Sequence, residues 1–304
     1  MPLPEGVYAA AVTPRRLGMQ DINLAVMWDV LDFLCERKVK GIVLLGSTGE
    51  FVHFSISERM RMMGLAPRRS RVPVIINVSH TNFDGAVELA QAAAASGAAG
   101  VLLMPPHFFR YSDDAIRTFV LRFVEESDIP IPVLLYNLPQ FTSLISFAVA
   151  EDLLRSGAVQ GIKDSSGDMN YLSSLIELRK SCQFTLLVGN DTLISRALPL
   201  GVDGVISGVA AALPELLVAL HHAYAAGKPE LMANLDLRLH EFIGWIDHFS
   251  VPVGVREAVS LRGLKLGPDA VPFSPVQAET LADFRAWFPG WLKTVLSECK
   301  DATA

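Results

Sequence analysis

GVLLMPPHFFRYSDDAIRTFVLRFVEESDIPIPVLLYN, residues 100–137, passes from one buried strand through a helix into the next. GVLLM (100–104) and PVLLYN (132–137) are short, apolar on both faces and bounded by Gly, Pro or polar residues. Between them Ile116, Phe119, Val120 and Phe123 follow the i, i+3, i+4, i+7 spacing that lines one side of a helix. Strands apolar on both faces belong to a parallel sheet covered by helices, where both rows of side chains leave water. Asp113 and Asp114 suit the start of this helix, as cap and as partners of its dipole.

The alternation extends in both directions. VYAAAVT (7–13), GIVLL (41–45) and VPVIINV (72–78) precede this unit, and VQGIK (159–163), FTLLVGN (184–190) and DGVISG (203–208) follow it. Helical spacing recurs in Leu24, Met27, Trp28, Leu31, Leu34 and Cys35, and again in Leu172, Leu175 and Ile176. The alanine-rich run from Ala86 reads as a helix ended by Gly97. Eight strand-and-helix units within residues 1–225 predict a (β/α)8 TIM barrel, the catalytic domain. A doubly wound open sheet is the alternative, but it rarely reaches eight consecutive parallel strands, and no GxGxxG follows the first strand. Beyond residue 225 the strand signal stops. Residues 229–249, 255–261 and 274–299 are helical in pattern, so 226–304 reads as a C-terminal helical extension packed on the barrel.

Of 304 residues, 51% are hydrophobic, enough for a large core, and a net charge of −6 disfavours a nucleic-acid partner. The basic run RRSR (68–71) reads as a solvated helix end. Three separated cysteines, Cys35, Cys182 and Cys299, form no CxxC and read as reduced thiols of a cytoplasmic protein. No signal-peptide pattern opens the chain, and no apolar run reaches the ~18 residues of a membrane span.

In such barrels the chemistry sits at the C-terminal ends of the strands. Lys163 ends the sixth run, where VQGIK breaks into the polar turn DSSGD. An amine held there can attack a ketone and form an imine. Taken alone, it reads equally as a snorkelling or salt-bridged lysine. Tyr136, one strand earlier, can reach that nitrogen and pass protons through its phenol, or can be a core tyrosine bonded to the backbone. The second run ends in GSTGE (46–50), where Ser47 and Thr48 can present hydroxyl and N–H donors to a carboxylate or merely cap a helix, with Glu50 the acidic end of that cap. Asn137 suits support of a turn or strand end, and Ser165 can bond a substrate. Gly189, Asp191 and Ser207 end the last two strands and can line a pocket or simply turn into helices. The seven histidines form no HxH, HExxH or ligand cluster, so no metal site is expected, and neither GxSxG nor a Walker loop is present.

Together, GSTGE, YNLP, GIKDSSG and GND on successive strand ends make the chain resemble the dihydrodipicolinate synthase/N-acetylneuraminate lyase family of class I, Schiff-base aldolases. The likeness covers the whole chain, including Thr13–Pro14, Pro105–Pro106 and the C-terminal helices. It implies a homotetramer, a dimer of dimers. It also implies that Lys163 forms the imine with the ketone of pyruvate or another 2-oxo acid, with Tyr136 as acid and base. Ser47 and Thr48 would hold the carboxylate, and Gly189, Asp191 and Ser207 would line the rest. No cofactor is implied, because the protonated imine is itself the electron sink.

Two positions depart from the synthases. Where they carry an arginine for a second carboxylate, this chain has Phe141, which can make no charge-assisted contact. Where they place a loop tyrosine that reaches the neighbouring subunit, the match is Phe108, with His107 or Tyr111 as possible substitutes. The expectation is a Schiff-base-forming lyase, aldolase or dehydratase, acting on pyruvate or a related 2-oxo acid with a less anionic tail, such as a 2-keto-3-deoxy sugar acid. The competing readings are dihydrodipicolinate synthase proper, acting on aspartate semialdehyde, and a non-catalytic sensor of 2-oxo acids. A divalent-metal aldolase fits less well.

Overall fold

A computed structural model describes residues 3–17 and 21–303. The chain runs β1 (Gly6–Ala10), α1 (Leu24–Glu36), β2 (Gly41–Leu44), α2 (Ile56–Met63), α3 (Ala66–Arg69), β3 (Val74–Asn77) and α4 (Phe83–Ser96). There follow β4 (Gly100–Leu103), α5 (Asp113–Ser127), β5 (Val133–Asn137), α6 (Phe147–Arg155), β6 (Gly161–Asp164) and α7 (Met169–Leu178). The last elements are β7 (Thr185–Val188), α8 (Ile194–Ala197), β8 (Gly204–Ser207), α9 (Pro214–Ala225), α10 (Pro229–Ile246), α11 (Val253–Leu261) and α12 (Pro275–Thr303).

The eight strands are parallel, each beside its sequence neighbour, and β8 closes on β1 through Val7↔Val205 and Ala9↔Ser207. This is the (β/α)8 TIM barrel the sequence predicts. Nearly every strand residue is buried, because side chains face either the barrel interior or the helices around it. The strands are shorter than the apolar runs: VYAAAVT continues past β1, and FTLLVGN past β7, into loops at the barrel mouth.

Helix starts follow local chemistry. Ser112, rather than Asp113 or Asp114, caps α5: its hydroxyl accepts from the Ala115 N–H, while the two aspartates occupy the first turn beside the positive dipole end. Asn82 caps α4, which ends at Gly97 in the left-handed region.

Helices α10 and α12 both pack on α9, and α11 packs on α10 and α12. Their shared core is aromatic: Phe242, Phe284 and Phe288 are fully buried, with Trp245, Trp287 and Trp291 stacked around them. Burying each phenylalanine contributes about 1.5–3 kcal/mol, which fixes α10 and α12 against each other, while their packing on α9 joins the pair to the barrel. Their connecting segment reaches over the mouth. No described helix is long and apolar enough to cross a membrane.

Candidate active site

Strand register does the first positioning. Tyr136 on β5 pairs with Lys163 on β6, and Asn137 with Asp164 one step further. Paired residues of parallel strands face the same side, so both functional side chains point into the barrel near its mouth. Lys163 is 4% exposed, and its Nζ lies 3.9 Å from the centroid of the Tyr136 ring. Among the described residues no carboxylate forms an ion pair with it.

Tyr136 Oη and Ser47 Oγ are hydrogen-bonded at 3.1 Å, and either oxygen can donate. Ser47 belongs to the turn after β2, which Leu45 and Glu50 bracket with left-handed φ angles of 57° and 53°. Within the described residues no acceptor takes the N–H of Ser47 or Thr48. Two such donors beside a hydroxyl form an anion-binding concavity.

A cavity of about 460 Å³ collects these groups. Ser47, Thr48, Tyr136, Lys163, Ser165, Gly189, Asp191 and Phe141 all line it. Gly189 leaves no room for a side chain beside the lysine: a Cβ there would lie 2.0 Å from Ser165 Oγ and 2.5 Å from Lys163 Cε, so both would have to move. Ser165 Oγ is buried and has no hydrogen-bond partner among the described residues. Burial pushes the Asp191 carboxyl above its ordinary pKa, against opposing bonds from Ser207 and the backbone and the attraction of Lys163. Asp164 is also raised by burial, although Ser166 and Asn137 donate to it. Asn137 ties the end of β5 to β6 through Asp164 and also holds the following loop, since its Oδ1 accepts from the Ile145 N–H.

Two sequence expectations change, those for Ser207 and Glu50. Ser207 is fully buried and does not line the cavity; its hydroxyl accepts from the Ala210 N–H and supports Asp191 from behind. Phe108 lies outside this cavity, 85% exposed at φ 84°. Glu50 is no helix cap: its carboxylate pairs with Arg15 at 3.1 Å and Arg256 at 3.0 Å.

A second cavity of about 340 Å³ adjoins the first, sharing Ser47, Leu138, Phe141 and Val251. Phe51, Val52, Met104 and Phe108 make its wall mainly apolar, and Glu50, His53, His107 and Thr142 complete it. His107 thus shares a wall with Ser47, and burial, with His80 and Arg59 adding, lowers its pKa and favours the neutral ring. Tyr111 lines neither cavity.

Sequence reasoning missed the roof. Ile243, Ile246, Asp247, Phe249 and Ser250 come down on the main cavity from α10 and the segment before α11. Their helical periodicity signals packing, but nothing in it says that the packed surface is the mouth of the barrel. Among the described residues no three His, Cys, Asp or Glu side chains converge as metal ligands.

A TIM barrel with a buried lysine against a tyrosine, beside a turn of free N–H donors, defines a class of barrel lyase that works through an amine. The Dihydrodipicolinate synthetase family model matches residues 3–288, and the chain belongs to that family. It is accordingly an enzyme of the class I aldolase/lyase type. It is 32% identical to the 4-hydroxy-tetrahydrodipicolinate synthase of Methanosphaerula palustris, over 91% of this chain and 96% of that protein. It is 28% identical to an uncharacterized DapA-like lyase of Chloroflexus aurantiacus, over 93% and 95% of the two chains. Among solved structures, a prophage protein of the dihydrodipicolinic acid synthase family from E. coli K12, in complex with pyruvate, superposes with a TM-score of 0.87 at 26% identity, covering 95% of this chain and 99% of that one.

Proposed function

We propose that this enzyme is a Schiff-base lyase that cleaves or forms the aldol bond of a 2-oxo acid with an uncharged, hydroxylated tail, such as a 2-keto-3-deoxy sugar acid. The observation that carries this reading is the Lys163–Tyr136 rung, with Nζ over the phenol ring inside the cavity that also holds Ser47 and Thr48. The Ser47 and Thr48 N–H groups hold the substrate carboxylate. The Lys163 amine adds to the C2 ketone, and loss of water gives the imine. In the cleavage direction the tail hydroxyl gives up its proton to the Tyr136–Ser47 pair as the C3–C4 bond breaks. The electron pair moves into the imine to give an enamine, and the tail leaves as an aldehyde. Protonation at C3 and hydrolysis then release pyruvate and restore the amine.

The tail class follows from the walls. Asp191, Asn190, Thr192 and Gln140 offer polar atoms to the tail, while Phe141, at the position that matches the synthases' arginine, supplies no cation for a second carboxylate. The names of the relatives favour a second reading, condensation of pyruvate with aspartate semialdehyde; Phe141 speaks against it. Assembly as a homotetramer, a dimer of dimers, belongs to the same proposal, and the exposed side chains of Phe108, Phe109 and Val52 support it.

Borohydride reduction in the presence of pyruvate tests the chemistry. Mass spectrometry is expected to find one reduced pyruvate on Lys163 and none in Lys163→Ala. Absence of any adduct with pyruvate and with other 2-oxo acids removes the Schiff-base reading, and saturable binding without turnover indicates a sensor. Turnover of sugar-derived 2-keto-3-deoxy acids well above that of aspartate semialdehyde is the expected ranking, and the reverse ranking establishes the second reading.

A further inference from the structure

Glu50 closes the turn that carries Ser47 and Thr48, and it does so in a left-handed conformation that a side-chain-bearing residue adopts only when its surroundings hold it there. Those surroundings come from far along the chain. Arg256, on α11, is 3% exposed; its Nη1 donates to Glu50 Oε2 at 3.0 Å and to the Thr13 carbonyl at 2.8 Å. Its Nε donates to Asp269 Oδ1 at 3.1 Å. The other carboxylate oxygen of Glu50 lies 3.1 Å from Arg15 Nη2. Thr13, whose carbonyl takes Arg256, donates its own hydroxyl to the Gly49 carbonyl at 2.7 Å, so the turn is gripped at two successive residues. The cluster balances two guanidinium groups against two carboxylates, the arrangement a low-dielectric interior requires. Arg256 itself lines neither cavity and can touch no substrate.

We propose that Arg256 is a positioning residue for carboxylate recognition: it reaches from the C-terminal helices to fix Glu50, and through Glu50 it aims the Ser47–Thr48 donors at the substrate. The inference rests on the proposed role of that turn. An anion site of backbone N–H groups works only at fixed geometry, and losing a well-aimed hydrogen bond to a charged group costs roughly tenfold to a hundredfold in affinity. The C-terminal helices thus set substrate affinity as well as roofing the cavity.

The test uses the full-length enzyme and pyruvate, reading half-saturation both by borohydride trapping and by calorimetry. Arg256→Met is expected to raise half-saturation about tenfold to a hundredfold, with the trapped fraction at saturating pyruvate unchanged. Arg256→Lys keeps the charge, loses the planar fork and recovers part of that loss. Arg262→Met is the control for stability alone: Arg262 ends the same helix but binds the Ala212 carbonyl and Glu215, away from the turn. It is expected to lower Tm and leave half-saturation alone. Arg256→Met and Glu50→Gln together are expected to lose less affinity than the sum of the two single losses, because both remove the Glu50–Arg256 pair while each also breaks a second one, to Asp269 or to Arg15. A folded Arg256→Met with unchanged half-saturation overturns the proposal, as does an equal rise in Arg262→Met. Should Arg256→Met fail to fold, Glu50→Gln carries the test: a similar rise supports the proposal and an unchanged value overturns it. Wild-type enzyme that binds pyruvate without an adduct sinks only the Schiff-base reading, and the calorimetric comparison still decides on Arg256. Wild-type enzyme that binds no pyruvate overturns both.

Discussion

Asp191 faces the main cavity with a carboxyl that burial pushes above its ordinary pKa. The native state therefore binds this proton more tightly than the unfolded chain, whose aspartates titrate near ~3.9. Stability from the group is complete below that unfolded value and is lost as pH rises through the higher folded one. Asp191→Asn removes the titration while keeping the shape. At neutral pH the variant is expected to melt higher than wild type, and the gap closes as pH falls toward about 4. Melting curves across that range check it: a gap constant with pH would show that the carboxyl's ionisation is not its source. Turnover is expected to fall in the same variant, since the proposed mechanism gives Asp191 a place on the polar wall. A stabilising change that costs activity is the usual mark of a group kept for function rather than for the fold.

Between elements, the end of β7 fits tightly against the end of β6. Register sets Leu187 beside Lys163 and Val188 beside Asp164, which brings Gly189 against the lysine side chain and Ser165. A methyl group at Gly189 would need both Lys163 Cε and Ser165 Oγ to move. Gly189→Ala is therefore expected to leave the circular dichroism of the barrel intact and to slow borohydride trapping by about a hundredfold. Trapping at the wild-type rate would mean that β7 does not confine the lysine. The sequence made this layout readable to an uneven degree. GVLLM, PVLLYN and VQGIK announce strands because both faces are apolar, and Lys163, Tyr136 and Ser47 stand at strand ends where the barrel rule directs attention. Glu50 read as a cap because its real partners, Arg15 and Arg256, have no local signature, and the second lies 206 residues away. Ser207 read as a lining residue because the strand-end rule places it near the mouth without saying which way the hydroxyl turns. The roof from α10 stayed hidden for a similar reason: periodicity shows which helix face is buried, not what it covers.

For the whole molecule, the open question is what covers the side cavity. Phe108 is 85% exposed and Phe109 65%, their rings edge to face at 4.9 Å, and Val52 beside the cavity is 57% exposed. Phe108 also holds φ 84°, a conformation that costs a bulky residue energy and turns the ring outward rather than into its own core. A contiguous apolar patch of this kind, beside an apolar cavity, is an interface signature. Aromatic side chains at the centre of an interface typically carry about 2 kcal/mol or more, which is over tenfold in dissociation. Phe108→Asp would bury a charge without a partner in such an interface, while at an exposed loop position it leaves the monomer fold untouched. The wild-type chain is expected to elute as an oligomer by light scattering, and Phe108→Asp as a smaller species with near-native Tm at high dilution. Because the side cavity shares Ser47 and Phe141 with the main one, the dissociated variant is also expected to lose turnover. A wild-type monomer would refute the assembly itself, and a Phe108→Asp variant of unchanged mass would place the assembly surface elsewhere; either leaves the side cavity open to solvent or to the substrate tail.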